Sequence, residues 1–231
     1  MLLFPAAGCS ILNYQSWHSK INFDILPIEY RGHWSRSLEP LYGDIDDMIN
    51  DIFLQMDVVN IHKTKAYLYF FGHSMGAIIA WLIHLRLDQL FGIKIKALFV
   101  SSALTPERIA ESNLFLNDDD IKRFLTKINL IPEPFFESGF ANKYVFPIIR
   151  NDFSLLDSII RLPELITVTK TPIYSFVGNT DQLVSVQEIS EWRNYTCSTF
   201  ETHVLNGNHF FVYNNTNADR LCQCINKIMN S

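Results

Sequence analysis

A chain of 231 residues with 48% hydrophobic and 19% charged side chains suits one globular domain with a sizeable core, and excludes a disordered chain. Its net charge of −5, with no lysine or arginine block, argues against a nucleic-acid partner. Four cysteines (Cys9, Cys197, Cys222, Cys224) make no disulfide scaffold, and the C-x-C at 222–224 has no second Cys or His pair at zinc spacing, so neither a metal nor a cofactor is expected.

The opening "MLLFPAAG" has no basic stretch before its short apolar run, so it does not read as a signal peptide. Nor does any apolar run reach the roughly 18–20 residues of a membrane span. A cytoplasmic monomer is expected, with the sequons at Asn194 and Asn214 arising by chance. "LLF" (2–4) reads as a first strand that stops at Pro5; because the chain begins almost on it, any preceding edge strand is expected to be absent or reduced. "FDILPIEY" (23–30) is a second strand candidate. "DIDDMINDIFLQM" (44–56) spaces Ile45, Met48, Ile49, Ile52 and Phe53 along one helical face, with acids in the first turn.

"AYLYFF" (66–71) reads as a fully buried strand, followed after Gly76 by an apolar helix. "KALFVSS" (96–102), "PIYSFVG" (172–178) and "ETHVLNG" (201–207) supply further strands. "NADRLCQCINKIM" (217–229) is a closing helix with Leu221, Cys224, Ile225 and Ile228 on one side. Strands alternating with helices predict an α/β fold with a mostly parallel sheet.

Residues 104–166 break that rhythm. They hold no clear strand, but "DDDIKRFLTKI" (118–128) and "NDFSLLDSII" (151–160) have helical period, with Asp118 and Asn151 as N-cap candidates. A stretch of about sixty residues is too long for a connector. It is expected to be a helical lid inserted into a single domain spanning 1–231.

Chemistry concentrates at "GHSMG" (72–76), a G-x-S-x-G between a buried strand and an apolar helix. A serine on so sharp a turn is strained, and flanking glycines remove side chains that would collide where strand meets helix. Ser74 is therefore a nucleophile candidate, the alternative being a structural turn. It needs a base. His73 cannot reach round to its neighbour's hydroxyl, His84 lies well down the next helix, and His203 falls mid-strand. His209, in "NGNHFF", sits just past a strand end, where active sites of parallel sheets collect.

An acid must hold the imidazole. Asp181, in "VGNTDQLV", follows the preceding strand in the same way; Asp152 and Asp157 are rivals, but both fall in the insertion, where capping or solvating a helix is the plainer role. The order Ser74, Asp181, His209 is that of α/β-hydrolases. An oxyanion hole would take one backbone N–H from Met75, after the serine, and one from the small-residue loop "FPAAGC", which could equally be a tight turn.

Taken together, "FPAAG…Y…W" (4–17), "EYRGH" (29–33) with "EP" (39–40), "FGHSMGAIIAW" (71–81), "IIRNDFSLLDS" (148–158), "VGNTDQLVS" (177–185), Trp192 and "NGNHFFV" (206–212) resemble the type II thioesterases, stand-alone α/β-hydrolases that accompany nonribosomal peptide and polyketide synthases. The resemblance spans essentially the whole chain. It implies hydrolysis of acyl or aminoacyl thioesters on the phosphopantetheine arm of carrier proteins, clearing stalled synthases. It also implies Ser74 as nucleophile, Asp181 as acid, His209 as base, and Ala7 and Met75 as oxyanion donors. Cys9 replaces the family's second glycine, and Arg31 stands where the family often has proline.

A small-molecule carboxylesterase or acyl-CoA thioesterase would share the same three residues, and an inactive carrier-binding adaptor is the non-enzymatic alternative. Carrier proteins are acidic, so docking on this acidic chain must use local basic or apolar surface, with Lys122, Arg123 and Lys127 on the insertion as candidates.

Overall fold

Six strands form one sheet, and every neighbouring pair runs parallel. They are β1 (Leu2–Phe4), β2 (Leu26–Pro27), β3 (Tyr69–His73), β4 (Ala97–Ser101), β5 (Ile173–Gly178) and β6 (Phe200–Leu205), in the order β2-β1-β3-β4-β5-β6. The computed structural model describes residues 1–64, 67–112, 118–127 and 138–230. Eight α-helices are described: α1 (Ile45–Met56), α2 (Val58–Thr64), α3 (Met75–Phe91), α4 (Pro106–Glu111), α5 (Asp118–Lys127), α6 (Phe146–Ile160), α7 (Val186–Ile189) and α8 (Asn215–Met229). None is long and apolar enough to cross a membrane.

The inner strands β1, β3, β4 and β5 are mostly buried on both sides because both faces of the sheet are covered there. Phe4, Phe70, Leu98, Val100 and Val177 join α1, α3 and α6 in one core. Leu3, Phe71, Phe99 and Phe176, the alternate positions, join the Ile11–Ser19 segment and α8 in the other. Phe70 and Phe71 are both fully buried, each stabilising the fold by about 1.5–3 kcal/mol relative to exposure.

The second strand is shorter than its apolar run suggests. Only Leu26 and Pro27 pair with β1; the Leu26 and Ile28 amides donate to Met1 and Leu3, so the Pro27 nitrogen, which has no N–H, faces the open edge of the sheet. Beyond it the chain enters a polar network. Arg36 forks onto Asp51 of α1 at 2.6 and 2.8 Å, Tyr42 donates to the same carboxylate at 2.7 Å, and Gln55 brackets the Glu29 backbone. Arg31, the residue in proline's place, joins it through Asp47 at 2.9 and 3.0 Å. Segment 29–42 is thus tied to a core helix.

Between β4 and β5 the described residues form helices and turns and no strand. Two buried indoles fasten the ends of this insertion: Trp192 donates to the Ala103 carbonyl at 2.9 Å, and Trp81 of α3 to that of Leu165 at 3.0 Å. Asn151 is not an N-cap. Helix α6 begins five residues earlier at Phe146, with Pro147 in its first turn, and the Asn151 amide donates to the Tyr42 carbonyl at 2.9 Å. The side chains of Asp118 and Lys127 lie outside the described residues. Lys122 and Arg123 face Asp119 and Asp120 of their own helix.

Helix α8 starts two residues before its apolar period, since Asn214 caps it by accepting from the Thr216 and Asn217 amides. Its buried stripe is Ala218, Leu221, Cys222 and Ile225, so Cys222 and not Cys224 enters the core. Cys224 is half-buried, its Sγ 3.8 Å from His203 Nδ1.

Candidate active site

Parallel strands point all their C-terminal ends the same way, so the turns after β1, β3, β5 and β6 gather at one edge. Ser74 follows β3 with φ 54° and ψ −123°, a conformation that costs a non-glycine residue about 1–3 kcal/mol. Packing imposes it. A Cβ on Gly72 would lie 2.4 Å from the Ala77 Cα and the Gly76 oxygen, and one on Gly76 would lie 2.1 Å from the Phe4 carbonyl oxygen. The steric reason for the two glycines is therefore met at both, and the second also presses the start of α3 against the loop after β1.

The Ser74 hydroxyl is 3.1 Å from His209 Nε2, and His209 Nδ1 lies 3.2 and 3.1 Å from the two oxygens of Asp181. Those three side chains form one hydrogen-bonded series. With a carboxylate on one nitrogen, the imidazole presents the other to the serine, where it can accept the hydroxyl proton. The Asp181 side chain is fully buried. Burial works against its charge, yet the hydrogen bond and charge of His209, with the Leu183 N–H, hold its pKa below the ordinary carboxylate value. Its Oδ1 accepts from the amides of Leu183 and Val184 at 2.9 and 3.2 Å, which fixes the carboxylate.

The turns carrying acid and histidine are laced together. Asn179 N–H donates to the Leu205 carbonyl at 2.8 Å, Thr180 N–H to that of Gly207 at 3.0 Å, and Gly207 N–H to the Asn179 side chain at 3.0 Å. Gly178 must lack a side chain, for a Cβ there would lie 2.2 Å from the Gly207 oxygen.

Met75 opens α3, so its N–H has no acceptor within the helix. Ala7 lies in a turn closed by the Cys9 N–H on the Ala6 carbonyl at 3.0 Å, while the Gly8 N–H donates to Asp152 at 2.8 Å. Of the three amides 7–9, that of Ala7 has no acceptor among the described residues. Cys9 is buried, and burial pushes its thiol up to about 12, so it stays protonated.

The other histidines lie elsewhere. His73 is fully buried, with Nδ1 3.1 Å from the Ser101 hydroxyl and its ring centroid 5.2 Å from that of His209. Burial first, then His209, push its pKa well below the ordinary value, leaving it neutral. His84 is buried, its Nε2 3.1 Å from the Thr171 hydroxyl, and His203 sits in β6. Asp157 pairs with Arg161 on the surface of α6.

Asp152 overturns the expectation that it caps or solvates its helix. Buried to 3% exposure, it receives Gly8 N–H and lies 3.1 Å from His33 Nε2. No sequence spacing links residues 8, 33 and 152; "EYRGH" and "IIRND" were visible only as separate stretches.

A family model described as a thioesterase domain matches residues 1–229, and the chain belongs to that family, whose members are hydrolases acting on thioesters. It is 26% identical over 217 residues to the linear gramicidin dehydrogenase LgrE of Brevibacillus parabrevis, covering 91% of this chain and 80% of the relative. It is 24% identical over 235 residues to the medium-chain S-acyl fatty acid synthase thioesterase of Rattus norvegicus, covering 99% and 87%. The crystal structure of ClbQ, from the colibactin NRPS/PKS pathway, superposes with a TM-score of 0.82 at 27% identity, covering 99% of this chain and 95% of that one. Solved type II thioesterases share the fold.

Proposed function

We propose that this member of the thioesterase family hydrolyses acyl or aminoacyl thioesters on the phosphopantetheine arm of carrier proteins, clearing stalled nonribosomal peptide or polyketide synthases. The observation that carries the reading is the contact of 3.1 Å between Ser74 Oγ and His209 Nε2, with Asp181 on the far nitrogen. The family and the ClbQ likeness support the substrate class.

Ser74 Oγ attacks the thioester carbon while its proton passes to His209 Nε2. The carbonyl oxygen becomes an oxyanion facing the N–H groups of Met75 and Ala7. Collapse breaks the C–S bond, and His209 returns the proton to the leaving sulfur. Water then attacks the acyl-serine, His209 takes its proton, and the free acid departs as Ser74 recovers its hydrogen. Asp181 stays ionised and stabilises the imidazolium. A thiolate leaves readily, so orientation and oxyanion stabilisation are the main demands on the protein. The helical insertion acts as a lid that moves to admit the arm.

The test is mass spectrometry of a panel of acylated carrier proteins before and after exposure to the protein, beside the same acyl groups on coenzyme A and as oxygen esters. Carrier thioesters should be cleared fastest. Equal clearance by a Ser74→Ala protein would overturn the nucleophile, and faster turnover of the oxygen esters would overturn the substrate class.

A further inference from the structure

Residues Ala6–Cys9 form a four-residue turn closed by one backbone hydrogen bond. Gly8, its third residue, has φ +69°, which marks a turn whose central peptide is flipped relative to the commoner type I form. That central peptide joins Ala7 to Gly8, and its N–H is the group held by Asp152 at 2.8 Å. Rotating the peptide back would carry the donor away from the carboxylate.

A second consequence follows from the closing bond. The Ala6 carbonyl accepts from Cys9 inside the turn, so the Ala7 N–H, trans to it in the same peptide, faces outward. Helix α6 approaches the turn with two residues three apart on one face: Asp152, and Ile149, whose Cγ1 lies 3.1 Å from the position of a Gly8 Cβ.

What fixes Asp152 is His33. The ring's Nε2 lies 3.1 Å from the Asp152 oxygen that accepts from Gly8, and its Nδ1 lies 3.1 Å from the Arg31 carbonyl. A carbonyl cannot donate, nor can an ionised carboxylate, so both ring nitrogens must carry hydrogen. His33 is therefore an imidazolium, buried to 3% exposure against an equally buried carboxylate. Neither charge can swing out without stranding the other in the interior. His33 is itself carried by the 29–42 segment anchored to α1.

We propose that Asp152 is a positioning residue for thioester hydrolysis: its carboxylate, clamped by His33, anchors the turn after β1 through the Gly8 N–H and so holds the outward-facing Ala7 N–H in place for the oxyanion. This rests on Ala7 and Met75 as oxyanion donors. Because Asp152 acts through a group that stabilises the transition state, its loss should spare ground-state binding.

The test compares the full-length parental protein with Asp152→Asn and Asp152→Ala. Two probes are used. One is a trifluoromethyl ketone analogue of an acyl thioester: Ser74 Oγ adds to its carbonyl carbon, the serine proton passes to His209, and the former carbonyl oxygen becomes an oxyanion. The other is the matching thioether, which forms no adduct. In Asp152→Ala, kcat and ketone affinity should fall together by tenfold or more, while KM and thioether affinity stay within about twofold. Gly8 and His33 meet the same Asp152 oxygen, and an Asn carbonyl oxygen in its place has the two lone pairs to accept from both, so Asp152→Asn should lose less.

Circular dichroism establishes that each variant is folded, and a third variant, Asp152→Ser, whose shorter side chain does not reach the Gly8 N–H, decides if the alanine variant is not. Parental kcat and ketone affinity in a folded Asp152→Ala protein, or in a folded Asp152→Ser protein where the alanine variant is not folded, would overturn the proposal. So would an equal loss of ketone and thioether affinity, which is what a merely structural role gives. If the parental protein binds the ketone no better than the thioether, the oxyanion reading itself fails and this proposal falls with it.

Discussion

Two buried histidine–aspartate pairs lie in this molecule, made of the same groups at nearly the same distance. His209 Nδ1 is 3.1 Å from Asp181, and His33 Nε2 is 3.1 Å from Asp152. They differ in what the other ring nitrogen meets. For His209 it is the Ser74 hydroxyl, which can donate or accept; for His33 it is the Arg31 carbonyl, which can only accept. The first imidazole is thereby free to be neutral and to take a proton. The second is locked as a cation. The carboxylates differ too: Asp181 takes two further backbone N–H groups of its own loop, whereas Asp152 reaches from the insertion to a loop 144 residues away in sequence. The third partner, not the pair, decides whether a histidine is a base or a clamp.

The sharpest break of this comparison is in activity. His209→Gln and Ser74→Ala should each reduce kcat by a thousandfold or more in a carrier-thioester assay, with the thermal midpoint moving only a few degrees. A His209→Gln protein within tenfold of the parent would sink the contrast. The next effect is in stability, and it should fall on the other pair. His33→Leu strands a buried carboxylate, costing about 3 kcal/mol, which in a chain of this size lowers the thermal midpoint by roughly 10 °C. An unchanged midpoint by calorimetry would mean that His33 and Asp152 do not hold the fold together.

The smallest effect separates the pairs by pH. Burial opposes the charge on His33, but Asp152 outweighs it and raises the pKa from 6.5 to about 9, with the Arg31 carbonyl and Glu29 helping. A raised pKa contributes stability that is complete below about 6.5 and is lost as pH rises through about 9. Between pH 7 and 10 the parental thermal midpoint should therefore fall more than that of His33→Gln, measured by scanning fluorimetry. Asp181 has the opposite sign: its depressed pKa stabilises above the ordinary carboxylate range, and that contribution is lost only as pH falls through the lowered value. Parallel curves for parent and His33→Gln would show that His33 does not titrate in this range.

The inner strands β1, β3 and β4 were legible because both their faces are buried, so their runs are almost wholly apolar. The elbow was legible because sterics allow nothing but glycine at 72 and 76, a demand written directly into the chain. Less was legible where the partner is remote. Asn151 looked like a cap because local spacing does not reveal that the helix already starts at Phe146, with Pro147 in its first turn, or that the Asn151 amide meets the Tyr42 carbonyl. Cys224 looked buried because the period of α8 does not say how wide a stripe the sheet will cover; Cys222 took the place. Asp152 looked solvated because most helix acids are.

The sequence by itself determined the alternation of strand and helix, the strained serine, and the chain order of serine, acid and histidine. These are local matters: backbone sterics and apolar periodicity act over a few residues. The tertiary structure alone decided which histidine keeps its charge in the interior, which acid it pairs with, and which amide of the 7–9 turn has no acceptor among the described residues. Hydrogen bonds and buried charge are settled by what lies within about 3 Å, and here those neighbours come from opposite ends of the chain.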